Sequence, residues 1–405
     1  MKLRDIVTYT SVFLVVVVEY AFRRAFDFIA GPLGDILHLS RSDLMILPSI
    51  FIWATFLTVF FGKMVDRKPK LTLILGGIIS FVGFMACAAC VADFSRLRIF
   101  MIPAAIGSVM IEVMVAAYMV KLRGFGRTWD LLTLGWARTS AVLIFAAVIS
   151  AIFWLGFGVA GVFAIMAIWQ VFFLIIFYLS IRGAEYERKD LDQVKYLKLA
   201  WIWMRQLDFW RIMLTISMFE TVTVLMGARF TEMFKAVNIG ETQAKIWFVM
   251  AYVIGLGGRV VWSRVGNKYS TRWPLVLGPL LMATSFLLFP LGPICARVSF
   301  VLYGLGTSAG TTNIRSYLGD RYGQEQIGMR LGLAHSGYSV VAGLLVYCST
   351  FFLRTLGFQG MLFFYAMIVI AVVLFFGLER NIQWKNPRNG TVKFWPWVLT
   401  GFKRS

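Results

Sequence analysis

Mostly apolar stretches, each roughly twenty residues long, alternate with short polar connections along almost the whole chain. Read as helices, they cover about 8–31, 44–62, 71–92, 98–120, 131–154, 158–181, 209–231, 243–262, 273–291, 297–317, 329–353 and 357–378. A helix needs roughly 20 apolar residues to cross the hydrocarbon core of a bilayer. Each stretch therefore predicts one membrane span, twelve in all. A longer polar segment, 182–208, divides the spans six and six, and its "LAWIWM" run among mixed charges predicts a surface helix at the membrane interface. The tail from 379 carries Trp384, Trp395 and Trp397, residues suited to the same interface. The expected organisation is a first six-helix bundle (1–181), a linker with an interfacial helix (182–208), a second bundle (209–378) and a tail (379–405).

Composition agrees with the pattern. The chain is 59% hydrophobic and 15% charged, against about 25% charged in soluble domains. The net charge of +20 does not point to nucleic acid, because the basic residues lie mostly between apolar segments. Placing the N-terminus in the cytoplasm puts roughly 29 of the 40 Lys and Arg on that side, as the positive-inside rule requires. Lys63, Arg67, Lys68, Lys70, Lys121, Arg123, Arg127, Arg259, Arg264 and Lys268 fall there. The expectation is a multi-pass protein of the cell membrane with both termini cytoplasmic. The first apolar run is too long for a cleavable signal. Cys87 and Cys90 have CxxC spacing in an apolar helix, with no acid or histidine beside them, and read as small buried hydrophobes. The sequon Asn389-Gly390-Thr391 falls in the tail assigned to the cytoplasm and reads as chance. No phosphate loop, nucleophile–base pair or metal-ligand spacing appears, so neither an enzyme nor a cofactor is expected.

One stretch breaks the apolar rule: "VEYAFRRAFDF", residues 18–28. Counting from Thr8 at ~1.5 Å per residue, Glu19 lies ~17 Å into the bilayer, near its middle. Glu19, Arg23 and Asp27 are spaced i, i+4, i+8 and share a helix face, with Arg24 about 100° away. One charge at mid-membrane costs about 2.5–3.5 kcal/mol and normally faces a bundle interior or water. That face therefore lines the protein interior, either as a self-satisfied triad or as a site for a charged ligand.

Two stretches carry a family resemblance. "LHLSRSDLMILPSIFIWATFLTVFFGKMVDRKPK" resembles the start of helix 2 and the following loop in the major facilitator superfamily. Gly62, Asp66 and Arg67 match the loop motif, and Pro69 stands where that family usually has glycine. "GGRVVWSRVGNKYS" looks like the second copy, with Gly258, Arg264, Gly266 and Lys268 in place and Ser263 replacing the acid. The resemblance implies an all-α membrane protein of 12 transmembrane helices. Two six-helix bundles with inverted repeats would enclose a central cavity, with the substrate near the midplane. It also implies that Asp66 and Arg67 close the cytoplasmic side.

Tyr20-x-x-Arg23 is similar to helix 1 of organophosphate antiporters, anion:cation symporters and spinster-like lipid transporters. There the arginine serves anionic substrates in the first two families, and a guanidinium suits carboxylate or phosphate. Thr58 stands where organophosphate antiporters carry a lysine, and helix 7 offers Glu220 and Arg229 in place of their arginine. Arg23 and Glu220 stand at equal distances before Asp66 and Ser263, so Glu220 is expected to face the cavity opposite Arg23. Further candidates are Thr312 and Asn313 for substrate, with Glu112, Arg138, Arg315 and His335 for coupling or gating. Plain structural alternatives stand beside these: Arg138 and Arg315 snorkelling to the interface, Glu112 as a partner for Arg138, His335 as a structural hydrogen-bonding group, and Gly304, Gly306 and Gly310 as packing residues.

The expected function is secondary active transport of a small organic anion, proton-coupled or by exchange, by a monomer that binds no nucleic acid. The alternatives are a cationic or neutral solute held by the carboxylates, or a non-transporting sensor or assembly factor of the same fold.

Overall fold

The computed structural model describes residues 3–122, 127–181, 193–268, 272–322, 327–377, 383–386 and 390–393. The first span is α1 (Leu3–Ala25) followed by α2 (Asp27–Leu37). Phe26 between them keeps helical angles (φ −56°, ψ −36°), so the residue spacing of one carries into the other. The second is a stack of α3 (Arg41–Leu44), α4 (Ile46–Ala54), a 3-10 turn (Thr55–Leu57) and α5 (Thr58–Arg67). Next come α6 (Pro69–Ala89), α7 (Phe94–Leu122), α8 (Arg127–Trp154) and α9 (Gly158–Ile181). The expected linker helix is present as α10 (Gln193–Met204). The second half holds α11 (Leu207–Ala236), α12 (Glu241–Lys268), α13 (Arg272–Leu288), α14 (Pro293–Tyr322) and α15 (Ile327–Gly377). Gly357, at φ 67°, ψ −167°, breaks α15 into two arms, which are the last two spans. A short antiparallel hairpin, β1 (Gln383–Asn386) with β2 (Gly390–Lys393), follows.

Packing in the first half recurs in the second. α6 packs on α7 and α9, and α13 packs on α14 and α15. α1 packs on α8 and α9, and α11 packs on α15. α4 meets α7 as α12 meets α14. Two crossings then join the halves, α5 on α15 and α12 on α8.

Small residues let these backbones meet. A Cβ on Gly83 would lie 2.3 Å from the Ala104 nitrogen, and one on Gly107 2.3 Å from the Ser80 nitrogen. In the second half, a Cβ on Gly304 would stand 2.2 Å from the Ala251 carbonyl, and one on Gly306 2.7 Å from that of Gly278. Where lipid tails are as apolar as leucine, association rests on such close van der Waals packing and on interhelical hydrogen bonds. Outward faces are apolar instead: Ile74, Ile78 and Val82 on α6, and Ile168, Phe172, Ile175 and Leu179 on α9, are all exposed. Their helical spacing makes continuous greasy stripes suited to lipid rather than water.

Among the described residues, seven helical segments are long and apolar enough to cross a membrane, lying in α4–α5, α6, α7, α9, α12, α13 and the part of α15 from Phe351 to Ala371, across Gly357.

Gly107→Val should lower the detergent melting midpoint by several degrees, since overpacking against backbone costs about 1–3 kcal/mol. Gly257→Ala, where an added Cβ meets nothing within 4 Å, should leave it unchanged or raise it, as alanine favours helix by up to about 1 kcal/mol.

Candidate functional site

The charged face of α1 begins at Tyr20. This side chain is fully buried and its hydroxyl donates to Oε1 of Glu112 on α7. Glu112 is 4% exposed, among Ile111, Val113 and Met114. A carboxyl in such surroundings is tolerable only when hydrogen-bonded. Tyr20 stands three residues before Arg23, hence on nearly the same face of α1. The side chains of Glu19, Arg23 and Asp27 lie outside the described residues, although their backbones are helical and keep the i, i+4, i+8 spacing. The same holds for Arg138 on α8, Glu220 on α11, and Thr312, Asn313 and Arg315 on α14. Gly310 lies just before that group, and the Phe219 ring occupies the space its Cβ would take, 2.3 Å away.

The crossing of α5 and α15 is a hydrogen-bonded seam. At its motif end, Oδ2 of Asp66 accepts from the Met329 amide at 3.0 Å. Met329 belongs to the first turn of α15, whose amides have no intrahelical acceptor, so the carboxylate caps that helix and meets the positive end of its dipole. Two turns further along α5, Thr58 donates to the Gly332 carbonyl at 2.7 Å. Ser336 lies 3.1 Å from the Thr58 hydroxyl, accepts from the Val59 amide at 3.0 Å and reaches the Phe56 carbonyl at 2.7 Å. Gly332 is glycine of necessity, since a Cβ there would sit 2.4 Å from the Thr58 carbonyl oxygen. Thr58 is therefore part of the closure between the halves. His335 is buried beside Ser336, and Arg67 is half-buried at the end of α5.

The second crossing is α8 on α12. Arg259, within the predicted span 243–262, lies in α12 and is buried, 3% exposed. Its Nε donates to the Thr139 hydroxyl of α8 across the boundary between the halves. Trp136 Nε1 donates to the Leu256 carbonyl at 3.2 Å in the same seam. Ser263 is buried and its hydroxyl makes no hydrogen bond among the described residues. One crossing is thus capped by an acid, and at the related place in the other a small hydroxyl stands.

At the opposite end, Phe28 of α2 reaches across to the second half. Its ring lies 6.1 Å from Phe230 and 6.5 Å from Phe248, which stack on each other at 4.0 Å. The two halves are therefore in contact at both ends.

Removing the Asp66 cap should be visible at its partner. In Asp66→Ala, hydrogen exchange of the Met329 amide should rise about tenfold, the loss of a charge-assisted hydrogen bond of about 1.5 kcal/mol. Asp66→Asn, which keeps an acceptor without the charge, should fall between.

The fold matches solved transporters across nearly its whole length. The proton:xylose symporter XylE bound to 6-bromo-6-deoxy-D-glucose aligns with TM-score 0.71 at 15% identity, over 91% of this chain and 95% of that one. A bacterial homologue of the iron transporter ferroportin, in an outward-facing state, aligns with TM-score 0.71 at 16% identity, over 91% and 98%. The human organic anion transporter MFSD10 (TETRAN) aligns with TM-score 0.66 at 12% identity, over 93% and 100%. No curated protein sequence matches the chain. The sequence model of the Major Facilitator Superfamily matches residues 212–399. The second half of the chain is thus matched by the model of that superfamily, and the fold is shared with solved transporters along nine-tenths of its length.

Proposed function

We propose that the protein is a secondary active transporter that moves a small organic anion by alternating access. In this reading residues 1–181 rock against 209–378, and the linker 182–208 and both termini lie in the cytoplasm, as the distribution of Lys and Arg favours. The α5–α15 and α8–α12 seams are then cytoplasmic closures, and Phe28 against Phe230 and Phe248 is the outer contact.

The observation that carries the reading is the buried Tyr20–Glu112 pair one turn from Arg23. It supports a role for Arg23 as the anion-binding cation, with Glu19 and Asp27 on the same face and Glu220, Thr312 and Asn313 across the cavity. Glu112 is the coupling carboxyl. As a carboxylate it accepts from Tyr20, and once protonated it no longer needs that donor. Proton binding there alters the turn of α1 that bears Arg23. Arg138, Arg315 and His335 act at the gates in this scheme. The relatives by fold are named for a sugar, iron and organic anions, so the fold supports transport, and the side chains along α1 favour the anion.

Two measurements on reconstituted protein test this. Thermal-shift screening of organic phosphates, carboxylates, lysophospholipids, amines and sugars should find stabilisation by an anion in wild type that disappears in Arg23→Ala. Stabilisation by amines alone would overturn the anion assignment. With that anion, Glu112→Gln should abolish uptake driven by a pH gradient and keep exchange of labelled for unlabelled substrate. Loss of both, in a variant that still binds, would remove Glu112 from coupling.

A further inference from the structure

The linker helix presents a face that no part of the transport scheme uses. In α10, Ala200 and Trp203 are buried, and the helix packs by this side on α11 and α15. The other side carries Lys198, Trp201, Ile202 and Arg205, spaced i, i+3, i+4, i+7 and all exposed. Trp201 is 55% and Ile202 45% exposed. The stripe continues around the corner into α11, where Leu207 and Trp210 are also exposed. The corner is fixed by Trp210 Nε1 donating to the Met204 carbonyl at 3.0 Å. The Arg205 guanidinium lies 4.9 Å over the Trp201 ring, which orders the cation beside the indole.

A stripe that alternates large apolar groups with cations suits neither water nor hydrocarbon alone. It suits the interface, where indole rings and the stems of Lys and Arg sit at headgroup level. The segment 193–211 carries Lys195, Lys198, Arg205 and Arg211 against the single acid Asp208. We propose that this corner is a binding site for an anionic phospholipid. Lys198 and Arg205 hold the headgroup phosphate, and an acyl chain lies along Trp201, Ile202 and Trp210. Juxtamembrane cations of this kind attract anionic headgroups, each worth roughly a threefold to tenfold gain in binding. Because α10 rests on α11 and on α15, which carries Met329 and Ser336 of the seam, an occupied site braces the helices that close the motif end.

The test uses the full chain in neutral detergent and counts bound lipid by native mass spectrometry, so it depends on neither the substrate nor the orientation. Wild type should retain phosphatidylglycerol in preference to phosphatidylcholine of the same chains, less so at high salt. Lys198→Gln with Arg205→Gln should weaken one phosphatidylglycerol-binding event about tenfold, with phosphatidylcholine unchanged. Trp201→Ala with Trp210→Ala should weaken both lipids, and Arg23→Ala should alter neither. Equal retention of the two lipids by wild type, or indifference to the charge variant, would overturn the proposal. Displacement of the lipid by millimolar inorganic phosphate would also overturn it, marking a site for a free anion.

Discussion

A polar group inside a bilayer has no water to satisfy it, so it must find its partner within the protein, on its own helix or on another. That constraint organises this protein. Each seam between its halves is built where a polar side chain of one helix meets a backbone or hydroxyl group of another: Asp66 with Met329, Thr58 with Gly332, Ser336 with Val59, and Arg259 with Thr139. Each of these contacts is individually modest, at about 0.5–1.5 kcal/mol net for a neutral hydrogen bond and about 1.5–3 kcal/mol where one partner is charged, as with Asp66 and Arg259. A closure made of such bonds can open without unfolding either bundle. Inside each half the contacts are of another kind, with glycines such as Gly83, Gly107, Gly304 and Gly306 bringing backbones together over long stretches. Division into stiff units and weak seams is what a rocking mechanism needs.

The two seams are related but unequal. α5–α15 ends in a carboxylate capping a helix, so it couples to the dipole of α15 as well as to one amide. α8–α12 has buried Arg259 on a hydroxyl, with Ser263 where the acid would stand. The two crossings thus hold opposite charges, a carboxylate on a backbone amide in one and a guanidinium on a hydroxyl in the other. The polar chemistry of the proposed site then lies between them, on the face of α1 that starts at Tyr20.

The spans were legible because the bilayer writes them in long apolar runs. Their boundaries held at glycine and proline: Pro69 opens α6, Pro293 opens α14, and Gly357 separates the last two spans. The linker helix was legible from "LAWIWM", and the packing role of Gly304 and Gly306 from their spacing. The inward turn of Arg259 was not legible, because charge near the end of an apolar run looks the same whether it snorkels or turns inward; only the hydroxyl of Thr139, 120 residues away, decides. Thr58 was noted only for the lysine it replaces, and its partner on α15 is a backbone carbonyl that no sequence pattern marks. Local spacing finds faces, whereas partners across a helix crossing depend on the fold.

The central claim is that the motif end of this structure is a closed state that opens during the transport cycle. The most direct measurement is the distance between spin labels at exposed positions 68 and 264, on opposite halves at that end, in a background without reactive cysteines. Two populations are predicted, the shorter matching this structure, with their weights changing when the transported anion is added. A single distance that no ligand, pH change or seam substitution alters would contradict the account and leave a rigid protein of transporter fold.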